Sequence, residues 1–382
     1  ARTVFAWADG DTVYAWDNVS LERTTLALTQ VDGIVSGLRL SPDGERVAML
    51  SGADGSPAQL RVLPLDGDPI YFAEPGVLLR AVGWASDDTL YFNTAVNEPP
   101  LALREQDDLW RLTVSSGVVE QVLEPGAGGA FRISPDGAFI AMSTAGTFAQ
   151  DGTPDAEGVI RLYDTTTDTA EIALAFFPVA TGSPVAFYPT FSWSPDSDAV
   201  FVAIPPVDGV YSDGEEDTLL WRLGVDGSTL QTGAVPASYF APPRWNGDQT
   251  RLLYGAQDEF GMTPFVIAEG DGAAPDVLAT GPGLRFRWAP SGERFLWRTD
   301  QSNGTFIGTP ADPQRHALTL SPDIIQAQWI GPDALVRAVA GDDSIELEHV
   351  TVLDTEGGTL LYEGIATLPS DAPPTFSAVQ IP

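Results

Sequence analysis

Short apolar runs alternate with polar turn residues along the whole chain, and one such unit sets the pattern. From Leu38 the sequence reads Leu38-Arg39-Leu40, then Ser41-Pro42-Asp43-Gly44, then Val47-Ala48-Met49-Leu50. Leu38 and Leu40 flank Arg39 with the period of two that puts successive side chains on opposite faces of a pleated strand. Pro42 pre-sets φ, Asp43 bonds its own backbone, and Gly44 takes positive φ without steric cost, so the strand ends in a tight turn. The nearly continuous apolar stretch that follows predicts a second strand covered on both faces.

The unit returns. Phe131-Arg132-Ile133-Ser134-Pro135-Asp136-Gly137 is nearly a copy, and Phe191-Ser192-Trp193-Ser194-Pro195-Asp196 is another. Weaker copies centre on Trp84, Trp245, Trp288 and Trp329. Taking the large apolar residue before each turn as an anchor gives Leu40, Trp84, Ile133, Trp193, Trp245, Trp288 and Trp329, spaced 41 to 60 residues apart. A repeat of that length, with about four strands per unit, is the signature of propeller blades.

The Trp-Ser-Pro-Asp-Gly turn followed by an apolar strand resembles the repeat of the TolB-like, WD-repeat-related β-propellers. Residues 41–44 and 134–137 match that turn in full, while Ser197 stands for Gly after Trp193-Ser194-Pro195-Asp196. The resemblance implies an all-β chain forming a single closed β-propeller. Eight four-stranded blades are the economical count, with seven as the alternative. Seven blades are expected at 37–75, 76–125, 126–177, 178–236, 237–281, 282–320 and 321–366. Residues 1–29 hold three strand candidates with no innermost strand before them, and 375–382 holds an orphan strand. Joining them into one composite closing blade removes the sheet edges. Function does not follow from this resemblance, because the same blades serve as binding platforms, periplasmic transport components and gates on serine peptidases.

Composition narrows the partners. The 382 residues carry 53 acidic side chains against 19 Lys+Arg, a formal charge of −34, and every one of those 19 is Arg. Such a field repels nucleic acid and anionic lipid and favours cationic partners such as another protein with a basic surface, metal ions, or simply solubility. No apolar run reaches the roughly 18 residues that span a bilayer, so direct membrane insertion is not expected. The absence of Cys excludes disulfides, thiolate catalysis and Cys-ligated metal, and the absence of Lys excludes a Walker-type phosphate loop. The chain is read as extracytoplasmic (periplasmic, cell-surface or secreted), with a leader removed before Ala1.

Candidate chemistry is sparse. The repeat already accounts for the anchor tryptophans as inter-blade packing. His316 and His349 fall in different blades, whereas a His-based metal site or triad needs convergent partners, so neither is assigned a role. No Gly-x-Ser-x-Gly elbow occurs, so no catalytic residue is assigned and the chain is read as a non-enzyme. Asn18-Val19-Ser20 and Asn303-Gly304-Thr305 match the glycosylation acceptor pattern, which is common by chance.

Loop length points to one face. The connections between second and third strands are long at 95–108, 145–158 and 205–217, and the connections entering blades at 176–190 and 236–243 open on the same side. Loops of this length in a compact domain usually carry function. They place Glu98, Glu105, Asp107, Asp151, Asp155, Glu157, Asp208, Asp213, Glu215, Glu216 and Asp217 beside Tyr188, Tyr211, Tyr239 and Phe240. Carboxylates beside aromatics suit a cationic protein partner. No cofactor is expected. The acidic loops at 151–157 and 213–217 leave Ca²⁺ as the variant. The expected function is a non-enzymatic protein-binding or scaffold module. The alternatives are a structural subunit of an envelope or surface assembly, and a propeller enzyme or peptidase accessory domain.

Overall fold

In the computed structural model the described residues are 2–9, 12–19, 23–28, 34–52, 59–65, 68–72, 78–98, 101–105, 108–144, 146–148, 154–177, 189–206, 217–238, 240–256, 263–300, 304–319, 324–340, 344–353, 359–368 and 375–381. Every regular element among them is a β-strand, and the strands form eight antiparallel blades, each running up and down from the channel outward. The innermost strands of blades one to seven are Ile34–Leu40, Leu78–Trp84, Ala130–Ile133, Thr190–Trp193, Arg244–Trp245, Arg285–Trp288 and Ile324–Trp329. The eighth blade is the composite one expected from the sequence. Its inner strand Thr375–Ile381 pairs with Arg2–Asp9 in a register running from Arg2 opposite Ile381 to Ala8 opposite Thr375.

The core lies between blades rather than within any of them. Eight clusters of buried side chains occupy the eight interfaces. Val4, Ala6 and Val13 of the closing blade meet Leu38, Val47 and Met49 of blade one. On its other side Phe5, Trp7 and Phe376 meet Val336, Ala338 and Leu347 of blade seven. The second strand of each blade therefore touches both neighbours, which is why it reads as continuous apolar sequence instead of alternating.

Turn geometry follows the anchor more strictly than the sequence does. Gly44, Gly137, Ser197, Gln249 and Gly292 each stand four residues after an anchor, and all have φ between 63° and 74°. Ser197 and Gln249 thus hold the left-handed conformation without being glycine. In blade three the glycine is required, since a Cβ on Gly137 would lie 1.7 Å from the Ala85 carbonyl oxygen of blade two. Turns also bond across blades. The Asp43 amide donates to Asp87 Oδ1 at 2.9 Å, and the Asp136 amide donates to Ser197 Oγ at 3.2 Å.

Two of the stretches read as loops contain paired strands. The second strand of blade two runs from Thr89 to Glu98 and returns as Leu101–Glu105, with Glu98 opposite Leu101 and Glu105 opposite Ala95. In blade three, Thr147–Phe148 pairs with Pro154–Ala156.

Ring closure by both ends makes a direct prediction. Removing residues 375–382 exposes the edge of Arg2–Asp9 and strips Phe376 from the interface with blade seven. The truncated chain is expected to melt at a clearly lower temperature and over a broader range. A melt superimposable on that of the full chain contradicts this closure.

Candidate functional site

The face opened by the connections between second and third strands is built on blades two and three. The arm of blade two is rooted in a buried polar knot. Asp108 Oδ1 accepts the Thr94 amide at 3.0 Å, and its Oδ2 accepts Thr94 Oγ1 at 2.5 Å and Trp110 Nε1 at 3.0 Å. Asn93 Nδ2 donates to the carbonyls of Asp108 and Gly129, linking the arm to blade three. With Asn93 and Asp108 buried, every bond in this knot raises the cost of displacing the arm.

The sequence candidates distribute unevenly around this face. Glu98 ends the long strand of blade two, Glu105 sits on its return strand, and Asp155 lies on the short strand of blade three. Glu157 and Asp217 are exposed, and Phe240 is 77% exposed. Asp107, Asp151, Tyr188, Asp208, Tyr211, Asp213, Glu215, Glu216 and Tyr239 lie outside the described residues. Among the described residues no group of three His, Asp or Glu is arranged to hold a metal ion. His316 is buried on the outermost strand of blade six, while the His349 ring lies 5.9 Å from Trp16 of the closing blade.

At the opposite mouth the structure assembles a layer that the sequence reading did not single out. Four innermost strands carry Arg immediately before the anchor: Arg39, Arg132, Arg244 and Arg287. The carbonyl of each accepts an indole Nε1 from a neighbouring blade, from Trp84 at 3.1 Å, Trp193 at 3.0 Å, Trp288 at 2.8 Å and Trp329 at 3.3 Å respectively. The four arginines therefore stand at one depth around the channel. Desolvation by the surrounding blades first, and then the positive charges of Arg132 and Arg287, hold the Arg39 and Arg244 guanidinium groups below the usual arginine range, although Arg39 is still reached by solvent. The signal was present in the repeat as an Arg before the anchor in four of seven copies, but within one strand it reads only as a polar alternate.

On the outer part of that same side, an open groove of about 360 Å³ lies between blades two and three, lined in part by Ser86, Tyr91, Arg111, Glu120 and Thr165. Arg111 donates to Glu120 Oε1 at 2.8 Å and to Asp168 Oδ1 at 2.7 Å, and Tyr163 Oη donates to Asp168 Oδ1 at 2.7 Å. These bonds from Arg111 and then Tyr163 hold the Asp168 carboxyl below the ordinary carboxylate range. Arg111 and Tyr163 are thereby satisfied, so the groove reads as a fastening of two blades.

Residues 24–150 match the family model of the lipoprotein LpqB beta-propeller domain, about a third of the chain, reaching from the closing blade into blade three. With the repeated turn and the eight blades, what is shown is the fold. This is an eight-bladed β-propeller whose first blades resemble that domain. No curated protein sequence matches the propeller. Among solved structures it is similar to a eukaryotic initiation factor, with 10% identity, 96% of this chain and 98% of that one covered, and a TM-score of 0.52. An oligogalacturonate lyase in complex with manganese gives 15% identity, 78% and 81% coverage and a TM-score of 0.49. TolB from Acinetobacter baumannii gives 12% identity, 99% and 67% coverage and a TM-score of 0.39. At 10% identity the first likeness concerns the propeller fold alone, and the other two are too distant to add to it.

The Asp168 fastening has a defined pH dependence. A carboxyl held below its unfolded value of about 3.9 contributes stability above that value, and loses it as the pH falls through the lowered one. Asp168→Asn is expected to cost under about 1 kcal/mol at pH 7, because the pair is partly exposed and screened. The difference from the parent protein should close as the pH is taken from 7 toward 3. A gap in melting temperature that stays constant over this range contradicts an ionic origin.

Proposed function

We propose that the propeller is a non-enzymatic protein-binding module acting outside the cytoplasm, and that its binding face is the one bearing the two strand-built arms. The observation that carries this reading is the continuation of the second strand of blade two to Glu98 and its return to Glu105. A blade needs only four strands to close the ring, so paired strands rising beyond it are additional to the scaffold. They stand beside the shorter arm of blade three, and both belong to connections that open on the same side. Return strands of this kind offer an edge for backbone pairing with a partner segment.

Charge supports the nature of that partner. The arms carry Glu98, Glu105, Asp155 and Glu157 on a protein of net charge −34, so a partner with a basic surface is steered toward this face. A setting outside the cytoplasm is supported by the family that the first blades match, whose described member is a lipoprotein.

The test neutralises Glu98, Glu105, Asp155 and Glu157 to Gln or Asn and measures capture from the native envelope fraction, followed by association rates with the captured protein. The substituted chain should associate more slowly at low salt and lose much of its salt dependence, since the Debye length shrinks from about 10 Å at 0.1 M to about 3 Å at 1 M. Equal rates and equal salt dependence overturn the assignment of this face.

A further inference from the structure

We propose that the central channel contains an anion site, formed by Arg39, Arg132, Arg244 and Arg287, that takes a small ligand bearing two or more carboxylate or phosphate groups. This site is independent of the arms. It lies one residue before the anchors, close to the end of each innermost strand that leads into the short turns, whereas the arms rise from the opposite face.

Position comes first. The four arginines occupy one register on blades one, three, five and six, fixed by the indole bonds to their carbonyls. The equivalent residues of blades two, four and seven are Gly83, Ser192 and Gln328, which add no charge at that level. Arg39, Arg132 and Arg287 are exposed and Arg244 half-buried, so their heads are reached by solvent. Arg39 and Arg132 each donate Nη1 to the carbonyl of the preceding residue at 2.8 Å, which holds the side chain and leaves further donors of the fork available.

Charge comes second. Arg2, Arg46, Arg111, Arg222, Arg294 and Arg337 are each paired with a carboxylate. Among the described residues none of the four channel arginines is. In a chain where acids outnumber bases 53 to 19, what sets these four apart is that cations without a carboxylate partner share one layer. Mutual repulsion of like charges destabilises a folded protein, so a cluster that stays uncompensated is explained by a ligand that supplies the missing charge. Guanidinium forks match carboxylate and phosphate oxygens two at a time.

The test is calorimetric titration of the full chain with pyrophosphate and, separately, with citrate, at constant ionic strength in chloride. Acetate and inorganic phosphate serve as weaker probes. At least one multivalent anion is expected to bind at one site per chain, and the two titrations show whether phosphate or carboxylate is preferred. In Arg39→Gln/Arg244→Gln the affinity should fall at least tenfold, while Arg222→Gln on the outer surface leaves it unchanged. Folding of the variants is checked by melting without added anion. Removing two repelling charges should leave the midpoint equal or higher. Should the double variant fail to fold, the single variants Arg39→Lys and Arg132→Gln are titrated instead, each expected to weaken binding several-fold. No binding beyond that of chloride, or equal binding by the parent and the channel variants, overturns the proposal.

Discussion

The structure depends on one backbone constraint, the pairing of Arg2–Asp9 with Thr375–Ile381. A four-stranded sheet has two apolar faces and two edges, and no blade of this chain covers its own. Each is covered by its neighbours, and the sequence of neighbours ends only when the two termini share a blade. The packing at that junction is dense. Phe5 and Trp7 are fully buried, their rings 5.5 Å apart, and Phe376 from the other end of the chain lies 5.3 Å from Phe5. Truncating a buried aromatic ring of this kind costs about 3–5 kcal/mol, comparable to a large part of the net stability of a domain.

Within the closed ring, the anchor tryptophans do two things at once. Their apolar bodies fill the spaces between blades, and most of their indole N–H groups bond to the innermost strand next door. Such a bond satisfies the indole donor and also fixes how one inner strand slides against the next. The register of the channel lining is therefore a by-product of packing. That is how arginines scattered from position 39 to position 287 come to share one layer.

Much of this architecture was legible in the sequence because the turns repeat. Ser41-Pro42-Asp43-Gly44 and Ser134-Pro135-Asp136-Gly137 specify turn geometry locally, and spacing then counts the blades. The composite blade was legible because an orphan strand and a missing strand complement each other. The arms were not, since short strands such as Leu101–Glu105 and Thr147–Phe148 carry no sustained alternation, and their pairing partners are set by blade geometry rather than by local pattern. Glu98, Glu105 and Asp155 were placed on the right connections but in the wrong conformation. The channel arginines were visible residue by residue, yet their convergence is a property of the ring. Only the register between blades turns four separate alternates into a cluster.

Native-state hydrogen exchange, read on fragments from each blade, measures the central dependence on closure most directly. Amides of Arg2–Asp9 and Thr375–Ile381 should exchange with the same opening free energy as those of Phe139–Thr144 and Ala199–Ile204, because all four strands are exposed only when the ring opens as a whole. Exchange of the terminal pair orders of magnitude faster than that of blades three and four would mean that the ends fray independently, and that the ring does not rely on them.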